Sequence, residues 1–371
     1  MTVFQHRPAL RWLVPLLAAV LLAVGGSALG LITAAARGGL PHRSAAQLLV
    51  DVQKARIDGL SGTIVQNSDL GLPSLPGVGG SGSSDMTSLV SGSHTLRLWY
   101  ADPNHVRLAL LGSLGESDLV RNGKDLWSWS SKDKSATHHT VGLVTDHAPS
   151  SLAAASPVTP QQAADAALKA VTPTTKVSTD GTAVVAGRSA YELLLQPRDT
   201  GSLVGSVRIA IDGSTHVPTR VQVFARGAGK PAFEVGFTSF DPSNPPASVF
   251  RFNPPPGTTV TESGSKDQQS GMAQSRPGSP SSKAPDSRSA SAPRTVGSGW
   301  ATVVVATLPT GSTPSSSSAT RILVALPKVS GDWGSGHLLR GRLFSALLTK
   351  DGRVAVGAVP PDALYAALAA R

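Results

Sequence analysis

The stretch ESDLVRNGKDLWSWSS, residues 116–131, sets two tryptophans two positions apart, just after an Asn-Gly pair. Asn-Gly is the strongest short-range signal for a β-hairpin, because both residues tolerate the positive φ angles that a tight turn requires. Side chains alternate between the two faces of a strand, so Trp127 and Trp129 share one face. The stretch therefore predicts a hairpin with a wide aromatic face and not a reactive loop.

Alternating apolar and polar residues continue on the N-terminal side of this hairpin. HTLRLWYA (residues 94–101) and HVRLALLG (residues 105–112) each place a large apolar residue at every second position, and an Asp-Pro-Asn turn connects them. This period of two is typical of strands that bury one face. We therefore expect an antiparallel meander, with KSATHHTV (residues 134–141) as its next strand.

Two helices and a second group of strands extend the predicted domain. Ser44 has the position of a helix cap, and the helical pattern that follows ends at Gly59. Thr159 caps a second helix, in which Pro160 takes the first position, where its missing N–H costs nothing. Five or six strands separated by Gly, Asp and Pro turns follow, and they predict a sheet long enough to curl.

Composition divides the chain into four segments. Residues 1–37 join a basic start to an uncharged apolar run, which predicts a signal peptide, or alternatively a membrane anchor, because the run approaches the roughly 20 residues that span a bilayer. Residues 38–260 hold the strands and helices described above. Residues 261–298 are rich in Ser and Pro and predict a disordered linker. Residues 299–371 predict a small C-terminal α+β module.

Charge and cysteine content narrow the classes of function. The net charge is +10, yet Lys and Arg are scattered and not clustered, so we expect a membrane surface as a partner and no nucleic acid. The chain contains no Cys, which excludes disulfides, a thiol nucleophile and a lipid-modified cysteine. With its apolar N-terminal run, the chain is expected to be exported to the extracytoplasmic face of the cell membrane, either secreted or N-terminally anchored.

The motifs that usually mark catalysis or cofactor binding fail their structural context. GVGGSG (residues 77–82) matches a phosphate-binding glycine pattern, but it lies in a long loop and no helix follows it. His138 and His139 are adjacent, so in a strand they point to opposite faces and cannot readily bind one metal ion together. We expect no enzyme, no cofactor and no metal site. A secreted enzyme or a cell-wall-binding protein is kept as a third class, on the basic charge and export signal alone.

Charged residues among the strands are expected at the surface. Asp118 and Asp125 are interpreted as solvated strand ends, since nothing marks either as a paired general acid. Arg97, Arg107 and Arg121 are assigned to a solvated outer surface of the sheet. An anionic headgroup site is the alternative for these arginines.

The apolar faces of the predicted strands allow two interpretations. A sheet that bends around helices which cover it incompletely encloses a cavity able to take an apolar ligand. The same residues can also pack a dry core. Residue types alone do not decide between them.

Several segments resemble the bacterial LolA-like family, which includes periplasmic lipoprotein carriers and the N-terminal domain of the RseB/MucB sigma-E regulatory proteins. The resemblance covers residues 44–262, and its most specific parts are the Asn-Gly hairpin with its tryptophans and the ending FRFNPPPGTTV (residues 250–260). The other segments that carry it are GTIVQ (residues 62–66), LRLWYADPNHVRLALL (96–111), TPQQAADAAL (159–168) and RIAIDGSTHVPTRVQVF (208–224).

The resemblance implies a mainly β fold with some α: an unclosed antiparallel β half-barrel with a helical lid, followed here by the small C-terminal α+β module. It also implies a hydrophobic cavity that binds lipid or lipoprotein acyl chains. The residues expected to line this cavity are Leu96, Leu98, Tyr100, Val106, Leu108, Leu110, Trp127, Trp129, Val207, Ile209, Ile211, Phe233, Val235 and Phe237. A slip of one residue in register would invert these assignments.

Two functions follow from the resemblance. The first is an exported carrier or chaperone that binds lipid or lipoprotein acyl chains at the cell envelope. The alternative is an RseB/MucB-like regulator of an envelope-stress sigma factor, which would act through an anti-sigma partner. The second module favours the alternative, because lipoprotein carriers of this family are normally compact single domains.

Overall fold

The structure is a computed structural model in which eight ranges of the chain are described: residues 40–72, 83–85, 88–89, 91–142, 159–169, 173–263, 293–307 and 325–370. These residues form three helices: α1 (Ala45–Lys54), α2 (Pro160–Lys169) and α3 (Pro361–Ala369). Their strands are β1 (Leu60–Ser68), β2 (Gly92–Asp102), β3 (His105–Gly112), β4 (Gly115–Asn122), β5 (Asp125–Ser130), β6 (Ser135–Thr140), β7 (Thr175–Val185), β8 (Arg188–Pro197), β9 (Val204–Asp212), β10 (Pro218–Ala225), β11 (Pro231–Asp241), β12 (Thr259–Ser263), β13 (Arg294–Val296), β14 (Val303–Thr307), β15 (Lys328–Gly331), β16 (Gly334–Arg340), β17 (Ser345–Thr349) and β18 (Arg353–Gly357).

Twelve strands form one large sheet in the order β12-β6-β5-β4-β3-β2-β1-β11-β10-β9-β8-β7. Neighbouring strands are antiparallel except β12 and β6, which run parallel. The two end strands, β12 and β7, do not pair with each other, so the sheet is unclosed. Strand β7 nevertheless contacts β11, from which β8, β9 and β10 separate it, so the sheet bends around one of its faces. A mainly β fold built on an open, bent sheet is consistent with the half-barrel that the sequence resemblance implies.

The hairpin at residues 116–131 forms with its turn one position later than an Asn-Gly-centred turn would place it. Asn122 pairs with Asp125, so Gly123 and Lys124 are the two central residues. Gly123 has a φ of 63°, and Lys124 is not among the non-glycine residues with positive φ. Glycine at the first central position is the requirement of a type II′ turn, whose twist fits the flanking strands.

Both predicted helix caps are confirmed. Ser44 Oγ accepts the backbone N–H of Gln47 at 3.2 Å, and the Gln47 side chain accepts the N–H of Ser44 at 2.8 Å. Thr159 and Gln162 make the same reciprocal pair at 3.3 and 3.0 Å. Each of these reciprocal pairs, known as a capping box, satisfies two backbone N–H donors that the start of a helix leaves unpaired. Both short helices therefore have defined N-termini.

Six strands form a second sheet in the order β13-β14-β18-β17-β16-β15, with all neighbours antiparallel. Helix α3 packs on strands β14, β17 and β18. Arg294 closes the C-terminal end of this helix, because its Nη2 donates to the carbonyls of Ala367 and Ala370 at 2.7 and 2.6 Å. The small unit therefore has a core of its own, around Leu347, Ala355 and Leu364.

The bounds of the predicted linker differ slightly from the bounds of the strands observed on either side of it. Strand β12 extends to Ser263 and β13 starts at Arg294, so the two sheets take in both ends of the predicted linker. Residues 264–292, the predicted N-terminal segment 1–37 and the glycine motif at 77–82 lie outside the described residues. Among the residues that are described, no helix has the length and apolarity needed to cross a bilayer.

Candidate functional site

One face of the large sheet carries nearly all of the residues predicted to line a cavity. Across β2 and β3, Leu98 pairs with Leu108 and Tyr100 pairs with Val106. At the far side of the sheet, Ile209 of β9 pairs with Val221 of β10, which in turn pairs with Val235 of β11. The predicted residues in the core on this face are Leu96, Leu98, Leu108, Leu110, Val207, Ile209, Ile211, Phe233, Val235 and Phe237, with Tyr100 and Val106 partly buried against them.

The two tryptophans of the hairpin do not belong to this face, which corrects the expectation for Trp127 and Trp129. Trp127 pairs with Val120, and Val120 pairs with Arg107 on β3. Arg107 is the neighbour of Leu108 in the chain, so its side chain points to the opposite side of the sheet. The short turns on both sides of β4 preserve this alternation, so both tryptophans lie on the outer face.

On the outer face, the tryptophans pack against the chain segment that contains the FRFNPPP motif. The Phe252 ring lies 5.3 Å from the Trp127 ring and 6.2 Å from the Trp129 ring, centroid to centroid. Phe250 is 2% exposed and contacts the His105 ring at 5.9 Å. The tryptophan hairpin and the FRFNPPP segment, the two most specific parts of the sequence resemblance, are therefore in contact with each other. The FRFNPPP segment covers the outer face of β3 to β5.

Helices α1 and α2 lie on the apolar face and bury small or aliphatic side chains there. Leu48 and Val52 of α1 and Ala164 of α2 belong to the same core as the strand residues. Helix α1 contacts β7, whereas α2 contacts β10 and β11. The helices thus cover the part of the sheet formed by β7 to β11, on the side away from β4 to β6.

Toward β4 to β6 the same face becomes polar, and it is more exposed at β5 and β6, whereas Ser117 and Arg121 on β4 are still buried. Leu119 is the cross-strand partner of Leu108, but it is only half-buried, and its own partner Ser128 is exposed. The next strand contributes Thr137, which pairs with Ser128. Among the described residues, the apolar face therefore has an exposed margin beside the half-buried Leu119.

Sequence reasoning missed two buried polar side chains on the apolar face, Gln66 and His94. They are cross-strand partners on β1 and β2, and each is 1% exposed. Gln66 donates to the carbonyl of Leu89, and His94 Nε2 lies 2.9 Å from the carbonyl of Ser91. The signal was present in the period of two, since Gln66 follows Ile64 by two positions and His94 precedes Leu96 by two.

Arg121 departs from the expected solvated surface. It is 1% exposed and shares the inner side of β4 with Leu119, because it pairs with Val106. Its guanidinium donates to Asn104 Oδ1 at 3.0 Å and to the carbonyls of Gly123 and Gly142 at 3.2 and 2.5 Å. Burial lowers the pKa of Arg121 from its usual value. Through these hydrogen bonds Arg121 holds the chain at Asn104, Gly123 and Gly142 in place beside the apolar face, so the arginine has a structural role.

Asp118 also departs from its prediction as a solvated strand end. It lies on the outer face, is 2% exposed, and accepts a hydrogen bond from Arg107 Nη2 at 2.5 Å. Burial raises the pKa of Asp118 to about 6, and the nearby Glu116 adds to this effect, while Arg107 opposes it. Among the described residues no partner satisfies Asp118 Oδ1. The carboxyl lies behind the sheet and cannot act on a ligand held at the apolar face.

Comparisons with known proteins identify structural neighbours. No protein-family model matches the sequence, and no curated protein matches it. The solved complex of MucA and MucB from Pseudomonas aeruginosa is similar at 14% identity with a TM-score of 0.39, and the match covers 86% of this chain and 94% of that chain. A LolA superfamily protein from Nitrosomonas europaea is similar at 10% identity with a TM-score of 0.20, covering 57% of this chain and 99% of that chain.

An uncharacterised conserved protein from Thermus thermophilus is similar at 14% identity with a TM-score of 0.33, and the match covers 59% of this chain and 98% of that chain. MucB and LolA superfamily proteins are thus among the structural neighbours of this chain. The geometry itself identifies the candidate site: the apolar face of the open twelve-stranded sheet, with its polar pair Gln66 and His94 and its exposed margin at β4 to β6.

Proposed function

We propose that this chain is an exported protein that binds lipid or lipoprotein acyl chains on the apolar face of its large sheet, as a carrier or chaperone at the cell envelope. The observation that carries the proposal is the continuity of that face, which runs from Leu108 on β3 to Leu193 on β8 without closing into a barrel. Each acyl CH₂ removed from water contributes about 0.8 kcal/mol, so a groove that covers only part of a chain still binds it appreciably.

Helices α1 and α2 are proposed as the lid over this face. Each has only ten residues, and the described side chains in or against the shared core are Leu48, Val52, Ala45 and Leu49 of α1 and Ala164 and Leu168 of α2. Isolated helices of this length are marginal in water, so their stability comes from packing on the sheet. A lid held by a few apolar contacts can move aside and expose the face to a ligand.

The proposed role is binding and not catalysis. The inner face of β1 to β3 and β8 to β11 is mainly hydrocarbon, and its buried polar groups include Gln66, His94 and the Tyr191 hydroxyl. The Tyr191 hydroxyl donates to the carbonyl of Pro41 at 2.9 Å. Such a surface suits nonspecific contact with methylene groups, which requires apolar area and shape but few hydrogen bonds.

A second candidate function is a regulator that binds an anti-sigma factor. The observation that favours it is the second sheet, which a simple carrier would not need. MucB, one of the structural neighbours, has been solved in complex with MucA(peri). Purification of the full chain with its natural membrane partners would test this function, since a co-purifying membrane-bound anti-sigma protein is the expected result.

Binding of a fluorescent fatty acid tests the lipid proposal. Leu119→Asp places a charge at the exposed margin of the apolar face without cutting into the core, and we expect the Kd to rise about tenfold or more. Leu114→Asp is the matched control, because Leu114 is 95% exposed at the β3–β4 turn of the same hairpin. Equal binding by both variants would argue against the apolar face as the site.

A further inference from the structure

The turn between β16 and β17, residues 341–344, packs into the core of the large sheet and not into the core of its own sheet. Leu343 and Phe344 are 3% and 4% exposed, and both belong to the cluster formed by the apolar face. Leu339 on β16 is partly buried against the same cluster. The small unit thus inserts two large apolar side chains into the region assigned above to a ligand.

Backbone and charged groups hold this turn at the end of β1. The N–H of Arg342 donates to the carbonyl of Leu70 at 2.7 Å. The Arg342 guanidinium forms an ion pair with Asp69, and both side chains are about half-exposed. An exposed ion pair of this kind is only weakly stabilising, so it can be broken without unfolding either unit.

A second set of contacts joins the small unit to the starts of β7 and β9. Trp300 Nε1 donates to Thr175 Oγ1 at 2.8 Å, and the indole ring packs against the large core. The carbonyl of Ala358 accepts from the N–H of Leu203 at 2.7 Å and from Ser202 Oγ at 3.0 Å.

All these contacts lie at one end of the large sheet. Neighbouring strands are antiparallel, so one end of the sheet holds the starts of β7 (Thr175), β9 (Val204) and β11 (Pro231) together with the ends of β10 (Ala225) and β1 (Ser68). The small unit contacts β1, β7 and β9 at this end of the sheet. It therefore closes one end of the apolar face, while the side margin at β4 to β6 stays exposed.

We propose that the second sheet unit is a removable stopper, a unit that blocks one end of the apolar face until it detaches. Its Leu343–Phe344 turn occupies the end of the face that a long acyl chain would use. Full binding of such a chain therefore requires the unit to leave. This inference rests on the lipid-binding function proposed above and adds its regulation. A partner that binds the small unit would thereby control access to the lipid site.

A reversible disulfide tests the stopper directly. A Cβ atom built on Gly201 lies 3.5 Å from the Ala301 Cβ across the two units, within the usual Cβ separation of a disulfide. The chain has no cysteine of its own, so within one molecule Gly201→Cys with Ala301→Cys can form only this bridge. The full-length double variant is compared, oxidised and reduced, for binding of a fluorescent long-chain fatty acid, with each single variant as a control.

We expect oxidation to weaken or slow uptake at least about tenfold and dithiothreitol to restore it, while the single variants respond to neither. Equal uptake by the oxidised and reduced forms would overturn the stopper and leave the lipid-binding function standing. Absence of uptake in every form, the unmodified chain included, would overturn the lipid-binding function and the stopper with it. Thiols that do not oxidise would show that the two units do not meet at this place, which also overturns the stopper.

A series of charge-reversal variants tests the opposite change, easier release of the small unit, without a disulfide. Arg342→Glu sets two like charges against each other at Asp69 and is expected to speed uptake several-fold. Asp69→Arg combined with Arg342→Glu restores an opposite-charge pair and is expected to return uptake to that of the unmodified chain. Identical uptake in all three proteins would contradict the proposed release at this contact.

Discussion

Leu98 and Leu108 are direct cross-strand partners on β2 and β3, and both lie more than nine-tenths buried on the apolar face of the large sheet. Cross-strand pairs of this kind are the local unit of sheet stability. The same face continues through β1 and β11 to β8, so the pair marks one side of an apolar surface that spans most of the sheet.

Truncation of either leucine should destabilise the protein. Leu98→Ala and Leu108→Ala each remove buried methyl groups, and we expect the free energy of unfolding to fall by about 2–5 kcal/mol. Urea denaturation followed by circular dichroism measures this change. Because the two side chains touch the same neighbours, the double variant should lose less than the sum of the single losses. Full additivity would indicate that the two sites do not share a packed surface.

The turn of the tryptophan hairpin should depend on one glycine. A Cβ on Gly123 meets no atom within 4 Å, so Gly123→Ala tests the backbone alone. The φ of 63° costs an L-residue about 1–2 kcal/mol, and stability should fall by that amount. Lys124→Ala, at the next position of the turn, is the control and should change stability by less than about 0.5 kcal/mol. A loss in the control as large as in the glycine variant would contradict the turn geometry.

Asp118 should make the fold more stable in mild acid than at neutral pH. Its pKa is raised to about 6 by burial in the folded chain, above its usual value of 3.8. The folded state therefore binds more protons than the unfolded state between these values, and stability falls as pH rises from about 4 to about 6, by roughly 2–3 kcal/mol. Asp118→Asn keeps the shape without the titration, so its stability curve should be flatter over this range. Parallel curves for both proteins would show that Asp118 does not titrate as described.

His138 should bind strand β12 more firmly at acid pH. Its Nε2 lies 2.9 Å from Asp125 and its Nδ1 lies 2.7 Å from Glu262 on β12, while the ring stacks on Trp127 at 4.3 Å. Burial lowers the pKa of His138, but the hydrogen bonds to Glu262 and Asp125 outweigh that effect and raise it.

A raised histidine pKa gives stability that is present below the unfolded value near 6.5 and is lost as pH rises through the folded value. Glu262→Gln should remove most of this pH dependence, which hydrogen exchange of β12 amides reports at matched intrinsic exchange rates. Because the Asp125 and Glu262 side chains are 55% and 68% exposed, the expected effect is small, about 0–1 kcal/mol. Unchanged protection of β12 in the variant at every pH would contradict this role of His138.

Local patterns in the sequence were sufficient for the hairpins, caps and apolar face. The period of two in HTLRLWYA and HVRLALLG gives the correct inner residues, because a meander with short turns pairs each strand with the next one. Ser44 and Thr159 cap their helices as their residue types predict.

The orientation of the tryptophans required more than local pattern. Their face depends on the pairing of β5 with β4 and of β4 with β3, so each turn length has to be known before Trp127 can be assigned to one side. Aromatic residues suggested an inner, apolar surface. Phe252, which covers them on the outer face, comes from a segment more than a hundred residues later, and no local rule connects the two.

Buried charges and the position of the small unit also escaped sequence reasoning. Asp118 and Arg121 look like surface residues because charged side chains are seldom buried, yet Arg107 and the turn carbonyls supply their partners. The packing of Leu343 and Phe344 against the large sheet depends on contacts between distant segments. Hydrophobic pattern shows that these side chains are buried but not which core receives them.

Native mass spectrometry of the full chain purified from a bacterial host, followed by lipid extraction, is the most direct test of lipid binding at the apolar face. We expect a co-purified acylated lipid that is retained by the Leu114→Asp protein and lost or strongly reduced in the Leu119→Asp protein. A chain that carries no lipid, and that also takes up no fluorescent fatty acid in the Arg342→Glu variant, would show that the apolar face is a filled core and does not bind lipid.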